Sequence, residues 1–170
     1  MYKNILVPLD GSPLAETVLP YVKQLAPAIG ASVTLLRVNE PTREQLEGKQ
    51  KLTSRSGKPP AREIKAYLQK VADYLKVAKV STKVILGVPS VEIIEEARNV
   101  PDTLTAMATH GRGVTRWLLG SVAEKVVRTA ACPVLTVRHA RPASTMPAKE
   151  LDALAADRVP AIGGPDRLPS

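Results

Sequence analysis

Short aliphatic runs alternate with longer amphipathic stretches along the first 138 residues. Continuous Val, Ile and Leu are typical of strands buried on both faces of a parallel sheet. Such runs predict five β-strands, at residues 3–9, 32–38, 82–86, 104–108 and 134–137. The stretches between them repeat apolar residues at helical spacing and predict four helices, at residues 14–29, 61–76, 89–97 and 122–131.

Strands that alternate with helices are characteristic of a doubly wound parallel sheet with helices on both faces. The pattern therefore predicts an α/β fold of five parallel strands flanked by four helices. In such sheets, ligands bind outside the carboxyl ends of the strands, where the direction of winding reverses. We expect the chemistry of this protein in the turns after the first and fourth strands.

Turn residues bracket the first predicted helix. Ser12 can cap it, Pro13 suits its first position and Gly30 can end it. Pro20 and Pro27 lie inside it, where proline removes a backbone hydrogen bond or kinks the helix.

Two stretches lose the periodicity. Residues 40–60 are charged and rich in Ser, Gly and Pro, and they predict a mobile basic insert within a domain of residues 1–139. Residues 140–170 are rich in Arg, Pro, Ala and Gly and predict a disordered tail.

The net charge of +8 is concentrated in one region, because residues 41–70 carry eight Lys or Arg against three Glu. Such a patch can attract a polyanion. No nucleic-acid-binding motif accompanies it, so a solvated surface is favoured over a nucleic-acid partner.

Cysteine content and hydropathy restrict the class of protein that this chain can be. The only cysteine, Cys132, excludes an internal disulfide and a multi-cysteine metal cluster, and we expect a buried structural thiol. The amino terminus lacks the apolar core of a secretory signal, and no run reaches the ~18 apolar residues of a membrane helix. A cytoplasmic protein is the expectation.

A segment with several glycines follows the fourth strand. Gly111 and Gly113 let backbone amides approach a ligand. Gly120 and Ser121 then begin a helix, whose first N–H groups favour an anion. These features predict a phosphate-binding loop, and an ordinary turn is the alternative. The spacing matches neither a Walker A loop nor a dinucleotide fingerprint.

Other residues of this segment have predicted roles. Ser121 and Glu124 have the spacing of a capping box, which predicts Ser121 as the N-cap. His110 has neither a nucleophile nor a metal-ligand set near it in sequence, so we expect it to fix the loop by a hydrogen bond. Trp117 is expected to pack the loop against the domain or against a partner subunit.

The chain resembles the universal stress protein family from about Tyr2 to Arg138. The resemblance rests on KNILVPLDGS, LLRVNEP, AMATHGR and WLLGSVAEKVVRTAACPVLTVR. It implies a protein with a Rossmann-like five-stranded sheet, and members of this family are usually dimers. ATP-binding members share a pattern of Gly, two residues, Gly, nine residues and then Gly with Ser or Thr. This chain has Ala108 in place of the first glycine, and eight residues separate Gly111 from Gly120.

The resemblance also implies a function, that of a stress-response regulator that binds ATP, or AMP or ADP, with Mg²⁺ accompanying the nucleotide. Asp10 would lie near the ribose or the metal-bound phosphates. Its local sequence by itself predicts an Asx turn, with a hydrogen bond to Ser12. The other implied binding residues are Pro8, Leu9, Val38 and Met107 around the base, and Ala108, Gly111, Arg112, Gly120, Ser121 and Val122 towards the phosphates.

Two alternatives stay open at this point. One is a nucleotide-free dimeric scaffold of the same family, suggested by Ala108 and the shorter spacing. The other is a slow ATP hydrolase, for which the sequence offers no convincing general base. In each case we expect a homodimer through the last strand, Val134–Val137, because an unpaired sheet edge tends to be covered.

Overall fold

The structure is a computed structural model that describes residues 1–41, 61–109 and 120–138. Its strands are β1 (Asn4–Pro8), β2 (Ser32–Asn39), β3 (Val80–Leu86), β4 (Thr103–Ala108) and β5 (Val134–Val137). Its helical segments are α1 (Pro13–Glu16), α2 (Leu19–Ile29), α3 (Ala61–Leu75), α4 (Pro89–Asn99) and α5 (Ser121–Thr129). The predicted tail and nearly all of the predicted basic insert lie outside the described residues.

All strand pairs in the sheet are parallel, and the strand order is β3-β2-β1-β4-β5. The chain thus winds from β1 through β2 to β3 on one side, and then crosses to β4 and β5 on the other. This confirms the predicted doubly wound α/β fold. The winding reverses between β1 and β4, which are hydrogen-bonded neighbours at the centre of the sheet.

The core has two layers because successive strand residues point to opposite faces. In β1, Ile5 and Val7 belong to one layer and Leu6 to the other, and all three are fully buried. The first layer is completed by α2 and α3, with residues such as Val22 and Leu68. The second is completed by α4 and α5, with residues such as Ile93 and Val126.

The first predicted helix, residues 14–29, is wrong as a single element. It is divided into α1 and α2 around Thr17 and Val18. Pro20 explains the break, because it has no N–H to donate to a carbonyl one turn earlier. It lies instead in the first turn of α2, where no such donor is needed.

Three turn predictions are confirmed. Ser12 caps α1, and its Oγ accepts a hydrogen bond from Ala15 N at 3.1 Å, while Pro13 is the first helical residue. Gly30 ends α2 with a φ of 67°, in the left-handed region that favours glycine. Pro27 is accommodated in the last turn of α2.

Within the described part of the chain, no helix combines the length and apolar character that a membrane crossing requires.

Candidate functional site

The candidate site lies where the winding of the sheet reverses. The register places Asn4 beside Thr103 and Leu6 beside Thr105, so β1 and β4 run side by side to the same edge. The chain leaves β1 towards β2 and leaves β4 towards β5. The two turns therefore diverge from neighbouring strand ends, and a crevice between such turns is where α/β sheets bind ligands.

The turn after β1 is built around Asp10. Its Oδ1 accepts a hydrogen bond from Ser12 N at 2.8 Å, which is the Asx turn that its local sequence predicts. Gly11 between them has a φ of 77°, a conformation that favours glycine. This turn orients the Asp10 carboxylate at the carboxyl edge of the sheet.

The end of β4 and the start of α5 are held together by backbone hydrogen bonds. Thr109 N donates to Val137 O at 2.9 Å, and Gly120 N donates to Thr109 O at 2.8 Å. The chain that leaves Thr109 therefore returns to the same point at Gly120. Five residues singled out from the sequence belong to residues 110–119, outside the described part of the chain: His110, Gly111, Arg112, Gly113 and Trp117.

Helix α5 begins one residue earlier than the predicted capping box requires. Gly120 is the N-cap and Ser121 is the first helical residue, so the prediction of Ser121 as the N-cap is wrong. Two hydrogen bonds place the N-cap at Gly120. Its N–H donates to Thr109 O, outside the helix, and its carbonyl accepts from Glu124 N at 2.8 Å, which is the first hydrogen bond of the helix. A glycine N-cap provides no side chain to the first-turn amides, and such amides suit an anion.

The apolar residues predicted around the base are only partly brought together. Val38 and Met107 belong to the same core layer, with Met107 buried and Val38 half-buried. Val122, which was predicted towards the phosphates, is half-buried against that same layer. Pro8 is half-buried at the end of β1. Leu9 is different, because its buried side chain belongs to the opposite layer.

Ala108 lies in regular strand backbone. It is the last residue of β4 and pairs with Val137. Among the described non-glycine residues, only Lys76 and Asp102 have a positive φ. An alanine at this position is therefore free of backbone strain, although the family pattern has glycine there.

Beside the Asp10 turn lie three buried side chains that the sequence patterns do not predict for the site, those of Glu16, Arg37 and Tyr67. We call Asp10, Glu16, Arg37 and Tyr67 the Arg37 cluster. Glu16, Arg37 and Tyr67 are at most 5% exposed, and Tyr67 Oη donates to Glu16 Oε1 at 3.0 Å. The sequence feature that could have indicated this cluster is Arg37, which is the only charged residue of β2 and follows two leucines.

The charges of this cluster act on one another. Burial, and then the negative charge of Glu16 and its hydrogen bond, raise the pKa of the Tyr67 hydroxyl well above its ordinary value of 10.0. The charge of Asp10 also raises this pKa, and that of Arg37 lowers it. The phenol therefore remains protonated and is a permanent donor to Glu16.

No cluster of three or more His, Cys, Asp or Glu placed to hold a metal ion is found among residues 1–41, 61–109 and 120–138. Asp10 is the only carboxylate among the residues predicted for the site. It fits a Mg²⁺ ion only as one ligand, with nucleotide phosphates as others.

A central parallel sheet whose winding reverses between β1 and β4 defines a doubly wound α/β protein, a class of fold in which ligands bind at the point of reversal. The chain belongs to the universal stress protein family, whose model matches residues 1–138. A universal stress protein of Methanocaldococcus jannaschii is 34% identical over 142 residues, covering 81% of this chain and 83% of that protein.

Solved structures share the fold. Protein MJ0577, a universal stress protein of Methanocaldococcus jannaschii, superposes with a TM-score of 0.67 at 30% identity, covering 84% of this chain and 99% of that one. A universal stress protein solved in complex with cAMP has a TM-score of 0.63 at 22% identity, covering 82% and 98%. One from Archaeoglobus fulgidus, solved in complex with dAMP, has a TM-score of 0.58 at 22% identity, covering 79% and 97%.

Proposed function

We propose that this protein binds an adenine nucleotide, ATP in the first instance, between the Asp10 turn and the start of α5. The observation that carries the proposal is the pairing of β1 with β4, because it brings an acidic turn and an uncapped helix N-terminus to neighbouring strand ends. The protein would act as a stress-response regulator, through nucleotide binding and partner contacts. Its expected location in the cytoplasm stays a prediction.

The chemistry of the two sides supports this ligand. The first-turn amides of α5 and the exposed Ser121 hydroxyl suit phosphate oxygens. The Asp10 carboxylate suits a ribose hydroxyl, and Val38 and Met107 offer apolar contact to a base. The solved relatives that hold cAMP and dAMP support an adenine nucleotide in particular. Gly111 and Arg112 are proposed phosphate contacts on the resemblance alone.

Calorimetric titration with ATP, ADP and AMP, each with and without Mg²⁺, tests the proposal. We expect saturable binding of ATP by the wild type and weaker binding by Ser121→Ala. Ser32→Ala is the matched control, because Ser32 lies at the amino end of β2, on the opposite edge of the sheet. Absence of binding at millimolar nucleotide contradicts the proposal, as does an equal effect of the two serine variants.

The proposal includes a homodimer through β5, which is an edge strand of the sheet formed by the described residues. Thr105 N donates to Pro133 O and Thr109 N donates to Val137 O, so alternate residues of β5 face β4. The backbone groups of Val134 and Thr136 therefore point to the outer edge. Such an edge is a ready site for pairing with a second copy.

A proline substitution at this edge tests the dimer. Thr136→Pro removes an N–H that points outwards and leaves the contacts with β4 intact, so we expect a monomer in light scattering. Thr136→Ala is the matched control at the same exposed position, because it leaves every backbone donor in place. A wild type that is monomeric at micromolar concentration contradicts the proposed dimer.

A nucleotide-free scaffold is the second candidate, and the eight-residue spacing from Gly111 to Gly120 favours it. Under this alternative, the wild type binds no ATP, whereas a variant with Ala108→Gly and one residue inserted after Gly113 does. Tight binding by the wild type eliminates the scaffold. Slow ATP hydrolysis is a third candidate and requires a turnover that Asp10→Ala abolishes.

A further inference from the structure

The Arg37 cluster connects the Asp10 turn to helix α3. The hydrogen bond from Tyr67 Oη to Glu16 Oε1 joins residues 51 positions apart, one on α3 and one on α1. Helix α1 follows directly from the Asp10 turn, since Ser12 is both the partner of Asp10 and the N-cap of α1. A continuous path of hydrogen bonds and helix therefore runs from Tyr67 to Asp10.

Arg37 lies next to the same turn. Leu9 N donates to Leu36 O at 2.8 Å, which extends the pairing of β1 with β2 one residue past the end of β1. Residues 9 and 10 are thus alongside residues 37 and 38. Arg37 also donates from Nε to Asn39 Oδ1 at 3.3 Å, which fixes the guanidinium near the end of β2.

The burial of Glu16 and Arg37 explains why these side chains are held in fixed positions. An ionised carboxylate and a guanidinium are costly to remove from water unless they are paired and hydrogen-bonded. Glu16 has 0% exposure and Arg37 has 5%, in a layer whose buried hydrophobic residues are all aliphatic apart from Tyr67. A stable core alone does not require charges here, because well-packed apolar residues of similar volume are often as stable.

We propose that Arg37, Glu16 and Tyr67 are positioning residues for the Asp10 carboxylate. They hold it where it accepts a hydrogen bond from a ribose hydroxyl of the bound adenine nucleotide. The inference rests on the proposed nucleotide-binding function and adds a determinant of sugar specificity to it. None of the three residues contacts the ligand in this scheme. They act through the geometry of the Asp10 turn and through the fixed charges around it.

The first test is the preference for ATP over 2′,3′-dideoxy-ATP, measured by calorimetry. The wild type should prefer ATP, and Tyr67→Phe should reduce that preference by about three- to tenfold, the value of one misplaced hydrogen bond. Glu16→Gln, which keeps the shape and an acceptor for Tyr67, should reduce it in the same direction. Ile64→Val is the matched control, a buried residue of α3 whose loss of one methyl group should leave the ratio unchanged.

The second test needs no ligand. The amide proton of Ser12 donates to Asp10, so its NMR chemical shift reports the orientation of that carboxylate. Tyr67→Phe and Glu16→Gln should move this resonance, and Ile64→Val should not. If the role of these residues is merely structural, all three variants lose stability, and Tyr67→Phe and Glu16→Gln do not differ from Ile64→Val in nucleotide preference or in the Ser12 amide shift.

The outcomes separate this inference from the proposed function. If the wild type binds ATP with a sugar preference that Tyr67→Phe and Glu16→Gln leave unchanged, positioning is overturned and nucleotide binding stands. If the wild type binds both nucleotides equally, positioning is likewise overturned. If the wild type binds neither, the proposed function and the inference fail together.

Discussion

Replacing Tyr67 with phenylalanine removes one hydroxyl group from the buried contact between α1 and α3. The hydroxyl donates to the carboxylate of Glu16 at 3.0 Å, and both side chains are at most 5% exposed. A hydrogen bond to a charged group contributes about 1.5–3 kcal/mol, so we expect Tyr67→Phe to lower the free energy of unfolding at pH 8 by about that amount.

The same substitution should change how stability depends on pH. Because burial and Glu16 raise the pKa of Tyr67 in the folded protein, its folded-state pKa lies above the ordinary value of 10.0 that applies to the unfolded chain. The contribution of the protonated phenol is therefore fully present below pH 10 and is lost as the pH rises beyond it. At pH 11 the unfolded phenol is mostly ionised and the folded one is not, which costs the wild type about 1.4 kcal/mol.

Urea unfolding followed by circular dichroism between pH 8 and pH 11 measures both effects. The difference in unfolding free energy between wild type and Tyr67→Phe should shrink by about 1.4 kcal/mol over this range. Lysine deprotonation affects both proteins alike and cancels in the difference. Tyr21→Phe is the control for replacing a tyrosine, since Tyr21 is 55% exposed. A difference for Tyr67→Phe that stays constant with pH refutes the reasoning.

Three further substitutions have expected effects on urea unfolding at neutral pH. Ser12→Ala removes the cap of α1 and should cost about 1 kcal/mol, whereas no effect would mean that the Ala15 amide finds another acceptor. Gly30→Ala should cost about 1–2 kcal/mol through conformation alone, because its φ is +67° and the space around a new Cβ is open; a stabilised variant would contradict this. Leu35→Ala should cost about 2–5 kcal/mol, because Leu35 is fully buried between the sheet and α3. A smaller loss would mean that the layer collapses around the missing side chain.

Much of the fold could be predicted from local patterns. The five strands and the parallel, doubly wound sheet follow from aliphatic runs that alternate with amphipathic stretches, and the position of β5 at an edge follows from the same order. The Ser12 cap and the Gly30 termination depend on neighbouring residues alone, so the sequence was sufficient for both.

In the first predicted helix, the apolar repeat and Pro20 indicate different structures, and the prediction of a single helix followed the repeat. The apolar repeat continues across residues 14–29, and the missing amide of Pro20 decides the break. The N-cap of α5 shows a different limit. Gly120 takes that position because it bonds to Thr109, a contact that depends on how β4 and α5 are placed.

The sequence by itself therefore determined the strands, their order of alternation and the two turns that form the candidate site. Only the tertiary structure decided which distant side chains meet there. Glu16, Arg37 and Tyr67 come from three separate elements, and no spacing in the sequence relates them. The physical reason is that periodicity reports which face of an element is buried, whereas the partners of a buried charge depend on how the elements pack together.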